Sequence, residues 1–142
     1  MSENVGFDSE IEKRPVLAAG EYGANGDAVL DKVVQRPAPW DESRSAMSFQ
    51  VVVRHPEHGV VRIFQDFGMD PGSQVPKLFR QLGVTDEEMK IGVAKGDWSV
   101  RLGGTKVIAT IGIREFTSKK DLDEMGHPRR HQQNTITNLV KL

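Results

Sequence analysis

The sequence predicts a mainly β protein, a five-stranded barrel with one helix between strands 3 and 4. Apolar and polar residues alternate over 47–55, 60–67 and 106–116, the period of a half-buried strand. A helical period occurs over 72–83, between the third and fourth of the predicted strands, and residues 85–88 are compatible with the start of a second short helical turn. With 142 residues the chain has the length of one domain and can bury a core of its own.

The first strand is predicted over 20–34, where Tyr22, Ala28 and Leu30 fall on one side. Gly23 and Gly26 interrupt the alternation and predict a sharp bend. Residues 35–45 contain two prolines and are predicted to form a loop.

A hairpin over 47–67 supplies strands 2 and 3, with a turn at 56–59 whose composition is Pro-Glu-His-Gly. The residues expected in the core are Met47, Phe49, Val51, Val53, Val61, Ile63 and Phe67. The residues expected on the outer face include Gln50, Arg54, Arg62 and Phe64.

The single helix is predicted from the i, i+3, i+4, i+7 spacing of Val75, Leu78, Phe79 and Leu82. A serine at 73 is placed to cap its start and a glycine at 83 to end it. Trp98, further along the chain, is expected in the core.

Strand 4 is predicted over 106–116, and its inner face is expected to hold Val107, Ala109, Ile111 and Ile113. Residues 117–132 are predicted to form a long polar loop. Strand 5 follows over 134–142, with Ile136, Val140 and Leu142 inward. Five strands with a helix after the third is the order of the OB-fold, which binds oligonucleotides or oligosaccharides beside strands 2 and 3.

Charge and composition exclude several classes of protein. The chain has 19 basic and 20 acidic residues, which excludes a strongly basic, histone-like binder. Residues 1–42 have a net charge of −5 and residues 43–142 of +4, so a local basic surface is compatible with the near-neutral total. Without cysteine the chain forms no disulfide, thiolate zinc site or iron–sulfur cluster. No apolar run approaches the roughly 18 residues of a membrane span, and we expect no membrane partner.

The domain organisation predicted is a flexible acidic tail over 1–14 and one β-barrel domain over 15–142. The start of the chain is acidic, without the apolar stretch of a secretory signal.

Aromatic residues beside cations predict a surface for single-stranded nucleic acid, because bases stack on aromatic rings and cations neutralise phosphates. The candidates lie on the outer face of the central hairpin, on strand 4 and in the two predicted loops. They are Arg36, Trp40, Arg44, Gln50, Arg54, Arg62, Phe64, Arg114, Phe116, Lys119, Lys120, Arg129 and Arg130. Two alternatives stay open: Phe64 packs under a loop or a partner subunit, or Trp40 closes one end of the barrel.

Catalysis and metal binding find little support in the sequence. There is no phosphate-binding Gly-Lys-Ser/Thr loop and no nucleophile elbow. The histidine pairs His55–His58 and His127–His131 lie in turn-like sequence, short of the four ligands that zinc needs. We therefore expect a protein that is not an enzyme and holds no metal or cofactor.

Several short motifs carry a resemblance to a known family. They are Leu17-Ala-Ala-Gly-Glu-Tyr22, the hairpin over 49–67, the helix over 75–82, the Gly103-Gly104 entry to 107–113, and Asn134-Thr-Ile-Thr-Asn138. Over residues 16–142 the chain resembles small phage-encoded proteins of unknown function found among phage replication and recombination proteins. The proline-rich segment 36–40 departs from the family's pattern.

The resemblance implies a non-catalytic, OB-fold protein that binds single-stranded DNA in the cytoplasm of a bacterial host. The alternative is an accessory protein that binds and inhibits a host protein such as a defence nuclease, because an acidic surface can occupy a nucleic-acid site. The sparsely charged edge of 134–142 also predicts a homo-oligomer.

Overall fold

A computed structural model describes residues 15–142, with the side chains of 118–121 left out. The flexible tail predicted for 1–14 lies outside the described residues. Strands predominate, so the mainly β prediction is confirmed.

The strands form one open antiparallel sheet. They are β1 (Gly20–Tyr22), β2 (Ala28–Ala38), β3 (Asp41–His55), β4 (Gly59–Gly68), β5 (Thr105–Leu122) and β6 (Pro128–Lys141). β5 pairs along one edge with β6. Along its other edge it pairs first with β2 and then, further along the strand, with β1. β2 pairs in turn with β3, and β3 pairs with β4. No ladder joins β4 to β6 in the described chain. The prediction of a five-stranded barrel is therefore wrong in strand number and in closure.

The bend predicted in the first strand divides it into β1 and β2. Gly23 and Gly26 both have positive φ, and the Gly26 N–H donates to the Gly23 carbonyl over 2.9 Å. A Cβ at Gly23 would collide with the carbonyl oxygen of Val107. Only glycine therefore allows β5 to approach this closely.

The loop predicted over 35–45 is wrong, because β2 and β3 continue into a hairpin with Pro39 and Trp40 as its turn. Pro37 lies on a stretch of β2 that pairs with β3 alone, opposite Ser45. The other edge of β2 needs no N–H donor there, so proline is tolerated. The polar composition thus reflects a hairpin that extends beyond the core.

The long loop predicted over 117–132 is also wrong. β5 runs on to Leu122 and β6 begins at Pro128, so that a turn at 123–127 closes a long hairpin. The Asp123 carboxylate accepts from the N–H groups of Met125 and His127, each over 2.9 Å. We name residues 113–133 the arm. Ile113 is 43% exposed, against prediction, because the arm leaves the core after Ile111.

Of the three residues predicted to face inward in the last strand, only Ile136 does so. Ile111 pairs with Ile136 but Thr110 pairs with Asn138, which leaves Thr137 as an extra residue in β6. This bulge reverses the alternation. Leu139 is therefore buried, whereas Val140 and Leu142 are exposed.

The prediction of one helix between strands 3 and 4 is wrong in number and in place, because the helical structure lies between β4 and β5 of this six-stranded sheet. The segments are α1 (Val75–Gln81), α2 (Asp86–Ile91), a 3-10 turn (Ala94–Gly96) and α3 (Ser99–Leu102). The second helical turn predicted from residue 85 lies in α2. None of these segments is long and apolar enough to cross a membrane, within 15–142.

The core holds the apolar residues predicted for α1 and for the central hairpin, except that Phe67 is only partly buried and packs against the core from its edge. Phe79 of α1 meets Phe49 of β3 and Trp98 edge to face, with ring centroids 6.1 Å and 4.9 Å apart. Trp98 is buried as predicted. Gln81 donates to the Leu139 carbonyl over 2.8 Å and so fixes α1 against β6.

Candidate nucleic-acid interface

A groove lies where the sheet stays open, between β4 and β6. It is a cavity of about 360 Å³. Its lining residues are Pro39, Trp40, Phe64, Gln65, Asp66, Arg114, Gln133, Asn134 and Thr135. The structure thus brings together Trp40, Phe64 and Arg114, three predicted binding residues that lie in separate segments of the sequence. We name this cavity the open groove.

Trp40 reaches the open groove from the turn between β2 and β3. Its ring lies beside Gly68 at the end of β4, where an added Cβ would be 3.5 Å from Trp40 Cζ2. The side chain is 57% exposed, so the alternative in which Trp40 closes a barrel is wrong. An exposed indole at the rim of a cavity offers a stacking surface.

Phe64 lies on the outer face of β4, directly across from Gln50 of β3. It is 42% exposed, as the outward alternation predicts. Gln50 is only 6% exposed and donates to the Asp31 carboxylate over 3.2 Å. The prediction that Gln50 is an accessible binding residue is therefore wrong. A bulge in β2 between Leu30 and Lys32 adds Asp31 to the strand beside Gln50.

The same bulge supplies a cation that the sequence analysis missed. Lys32 pairs with Gln50 across β2 and β3 and is exposed on the outer face. Strict alternation from Leu30 would turn Lys32 inward, and the extra residue turns it outward. The only signal in the sequence is a lysine at an expected core position.

Arg54 and Arg62 are exposed on the outer face, as predicted. Arg54 pairs with Val60, and Arg62 pairs with Val52, so the two arginines lie diagonally across β3 and β4. Among the side chains that the structure describes, neither forms an ion pair. Their charges are available to a phosphate backbone.

Arg36 and Arg44 are already paired with carboxylates. Arg36 contacts Asp66 over 3.0 Å, and Arg44 contacts Asp70 over 3.2 Å. Both line a second cavity, of about 400 Å³, next to Lys95. The prediction that these arginines belong to the binding surface stays untested, and their acidic partners weaken it.

The arm holds the remaining candidates. Phe116 is 40% exposed and stacks on His131, with centroids 5.4 Å apart and an interplanar angle of 28°. Arg129 and Arg130 are exposed, and Arg129 Nε donates to the Leu122 carbonyl over 3.3 Å. Lys119 and Lys120 lie outside the described side chains.

No group of three or more His, Asp or Glu side chains that could hold a metal ion occurs among those described. Asp66, which lines the open groove, and Asp70 are each paired with an arginine. In comparisons with family models, curated proteins and solved structures, nothing matches this chain.

Proposed function

We propose that this chain is a non-catalytic protein that binds single-stranded nucleic acid and serves phage replication or recombination in a bacterial host cell. The observation that carries the proposal is the open groove. Two exposed aromatic rings, Trp40 and Phe64, line one cavity together with the guanidinium of Arg114. Large apolar side chains are costly to expose, and here they share one concavity.

Single strands fit this arrangement better than duplexes. A ring can stack only on a base whose face is free, and each such contact contributes about 1–3 kcal/mol with little dependence on base identity. Lys32, Arg54 and Arg62 lie on the sheet face that also carries Phe64. Bases would thus occupy the open groove while the backbone follows these cations.

The OB-like assignment forms part of the proposal. Three long strands, a helical segment and two long strands follow one another, which is the order of that fold when β1 and β2 are taken as one bent strand. Oligonucleotide-binding members of that architecture use the neighbourhood of the second and third strands, which correspond here to β3 and β4.

The test is a titration of the full chain with labelled single- and double-stranded oligonucleotides at two salt concentrations. We expect single strands to bind more tightly, and affinity to fall as salt rises because bound phosphates release counterions. Equal affinity for both forms would contradict the stacking argument. No binding to any oligonucleotide at low salt would refute the proposal and favour the alternative, an acidic accessory protein that inhibits a host protein.

A further inference from the structure

Opposite charges face the open groove without touching each other. Asp66 lies on β4 and Arg114 on β5, and both line the same cavity of about 360 Å³. Asp66 is paired with Arg36, and Arg114 donates to the Gln133 side-chain oxygen over 3.0 Å. Among the described side chains, Asp66 and Arg114 form no ion pair with each other. The cavity therefore offers a separate hydrogen-bond acceptor and a separate donor to a ligand.

Both groups are held in place and both have capacity left. Arg36 donates to the two carboxylate oxygens of Asp66 over 3.0–3.4 Å, which fixes the orientation of the carboxylate. A carboxylate has about four acceptor sites and Arg36 donates to it three times, so one position remains for a ligand. Arg114 has five N–H donors, and in the part of the chain that the structure describes one of them donates to Gln133.

A carboxylate and a guanidinium in one aromatic groove match a particular base. Guanine carries two adjacent donors, N1–H and the N2 amino group, and two adjacent acceptors, O6 and N7. The remaining acceptor position of Asp66 takes one N–H, and a guanidinium donates to an acceptor pair through two parallel bonds. Adenine, cytosine and thymine each lack at least one of these pairs.

We propose that the open groove prefers guanine, with Asp66 accepting from the N2 amino group and Arg114 donating to O6 and N7. The inference rests on the proposed function and deepens it, since it names the base that the groove selects. The rings of Trp40 and Phe64 supply stacking that is indifferent to base identity. Selectivity arises from the two charged groups.

The experiment uses labelled thymidine oligonucleotides with one central guanine, adenine, hypoxanthine or 7-deazaguanine. Hypoxanthine lacks the N2 amino group and 7-deazaguanine lacks N7. We expect guanine to bind about 5- to 10-fold more tightly than adenine, the lower end of what a bidentate contact gives because the groove is open. Asp66→Ala removes the acceptor for the N2 amino group and should equalise guanine and hypoxanthine, and Arg114→Gln should equalise guanine and 7-deazaguanine.

Matched variants separate recognition from general effects. Lys77→Gln removes an exposed charge from α1, outside the groove lining, and should keep the preference for guanine. Arg36→Gln breaks the ion pair but keeps the Asp66 carboxylate, so it should reduce the preference less than Asp66→Ala does. Thermal melting of each variant identifies any loss of folding.

Failure of this inference differs from failure of the proposed function. Equal affinity for all four oligonucleotides overturns the guanine preference and leaves single-strand binding standing. If no oligonucleotide binds at low salt, the proposed function is refuted. NMR titration with guanosine monophosphate then tests whether the open groove binds a guanine nucleotide. Amide shifts confined to residues 64–66 and 114 would then support a nucleotide pocket, and their absence would overturn it.

Discussion

Replacing Phe64 with leucine removes a flat ring from the open groove and keeps most of its apolar volume. Because 42% of Phe64 is exposed, the ring contributes less to packing than a fully buried one. A volume-conserving apolar exchange costs under about 1.5 kcal/mol of unfolding free energy. One lost stacking contact costs about 1–3 kcal/mol of binding free energy, which is about 5- to 150-fold in Kd.

Fluorescence anisotropy with a labelled single strand at several salt concentrations measures the effect. Affinity should fall while its dependence on salt stays unchanged, because no charge is removed. Phe67→Leu is the matched control on the opposite face of β4, where Phe67 meets Phe49 edge to face at 5.5 Å. It should lower the melting temperature through a lost aromatic pair and leave binding intact.

Two results would refute the reasoning on Phe64. If Phe64→Leu melts and binds like the parent, the ring stacks on no base. If Phe64→Leu and Phe67→Leu weaken binding equally and in proportion to their loss of stability, the effect on binding arises from folding alone.

Four further predictions concern charge, pH, packing and assembly. Arg54→Gln and Arg62→Gln should each reduce the salt slope of single-strand binding by about 0.7, and unchanged slopes would place the backbone elsewhere. A hydrogen bond from Arg101 lowers the pKa of Glu88 from its usual 4.5 to about 2. Arg101→Ala should therefore lower the melting temperature above pH 4.5, and the difference from the parent should fade as pH falls towards 2. Phe79→Ala should cost about 3–5 kcal/mol in urea unfolding, since the side chain is 2% exposed between two other rings. Sedimentation should show self-association through the exposed Val140 and Leu142 at the end of the chain, and a monomer at and above micromolar concentration would contradict it.

How much the sequence predicts depends on how locally each feature is determined. The core face of β3, from Met47 to Val53, follows from alternation alone and is confirmed, as is the apolar side of α1 with Phe79. The outer parts of the β2–β3 and β5–β6 hairpins have a polar composition, and such a composition predicts loops. Strands beyond the core have two faces in solvent, so they lose the alternation that would reveal them.

Bulges limited the prediction of individual side chains. Asp31 in β2 and Thr137 in β6 each add a residue opposite a partner strand. Each reverses which side chains face outward, and so exposes Lys32 and buries Leu139. Whether a strand bulges depends on its neighbour, and a single sequence does not show that neighbour.

Three features can be derived from the sequence alone: the chain is mainly β, its central hairpin turns at 56–59, and Phe64, Arg54 and Arg62 face outward. These features follow from a period of two residues and from turn chemistry, which act over a few positions. That Trp40, Phe64 and Arg114 share one groove depends on the fold as a whole. That groove exists because β4 and β6 approach without pairing, and their separation depends on how the whole sheet curves around the core.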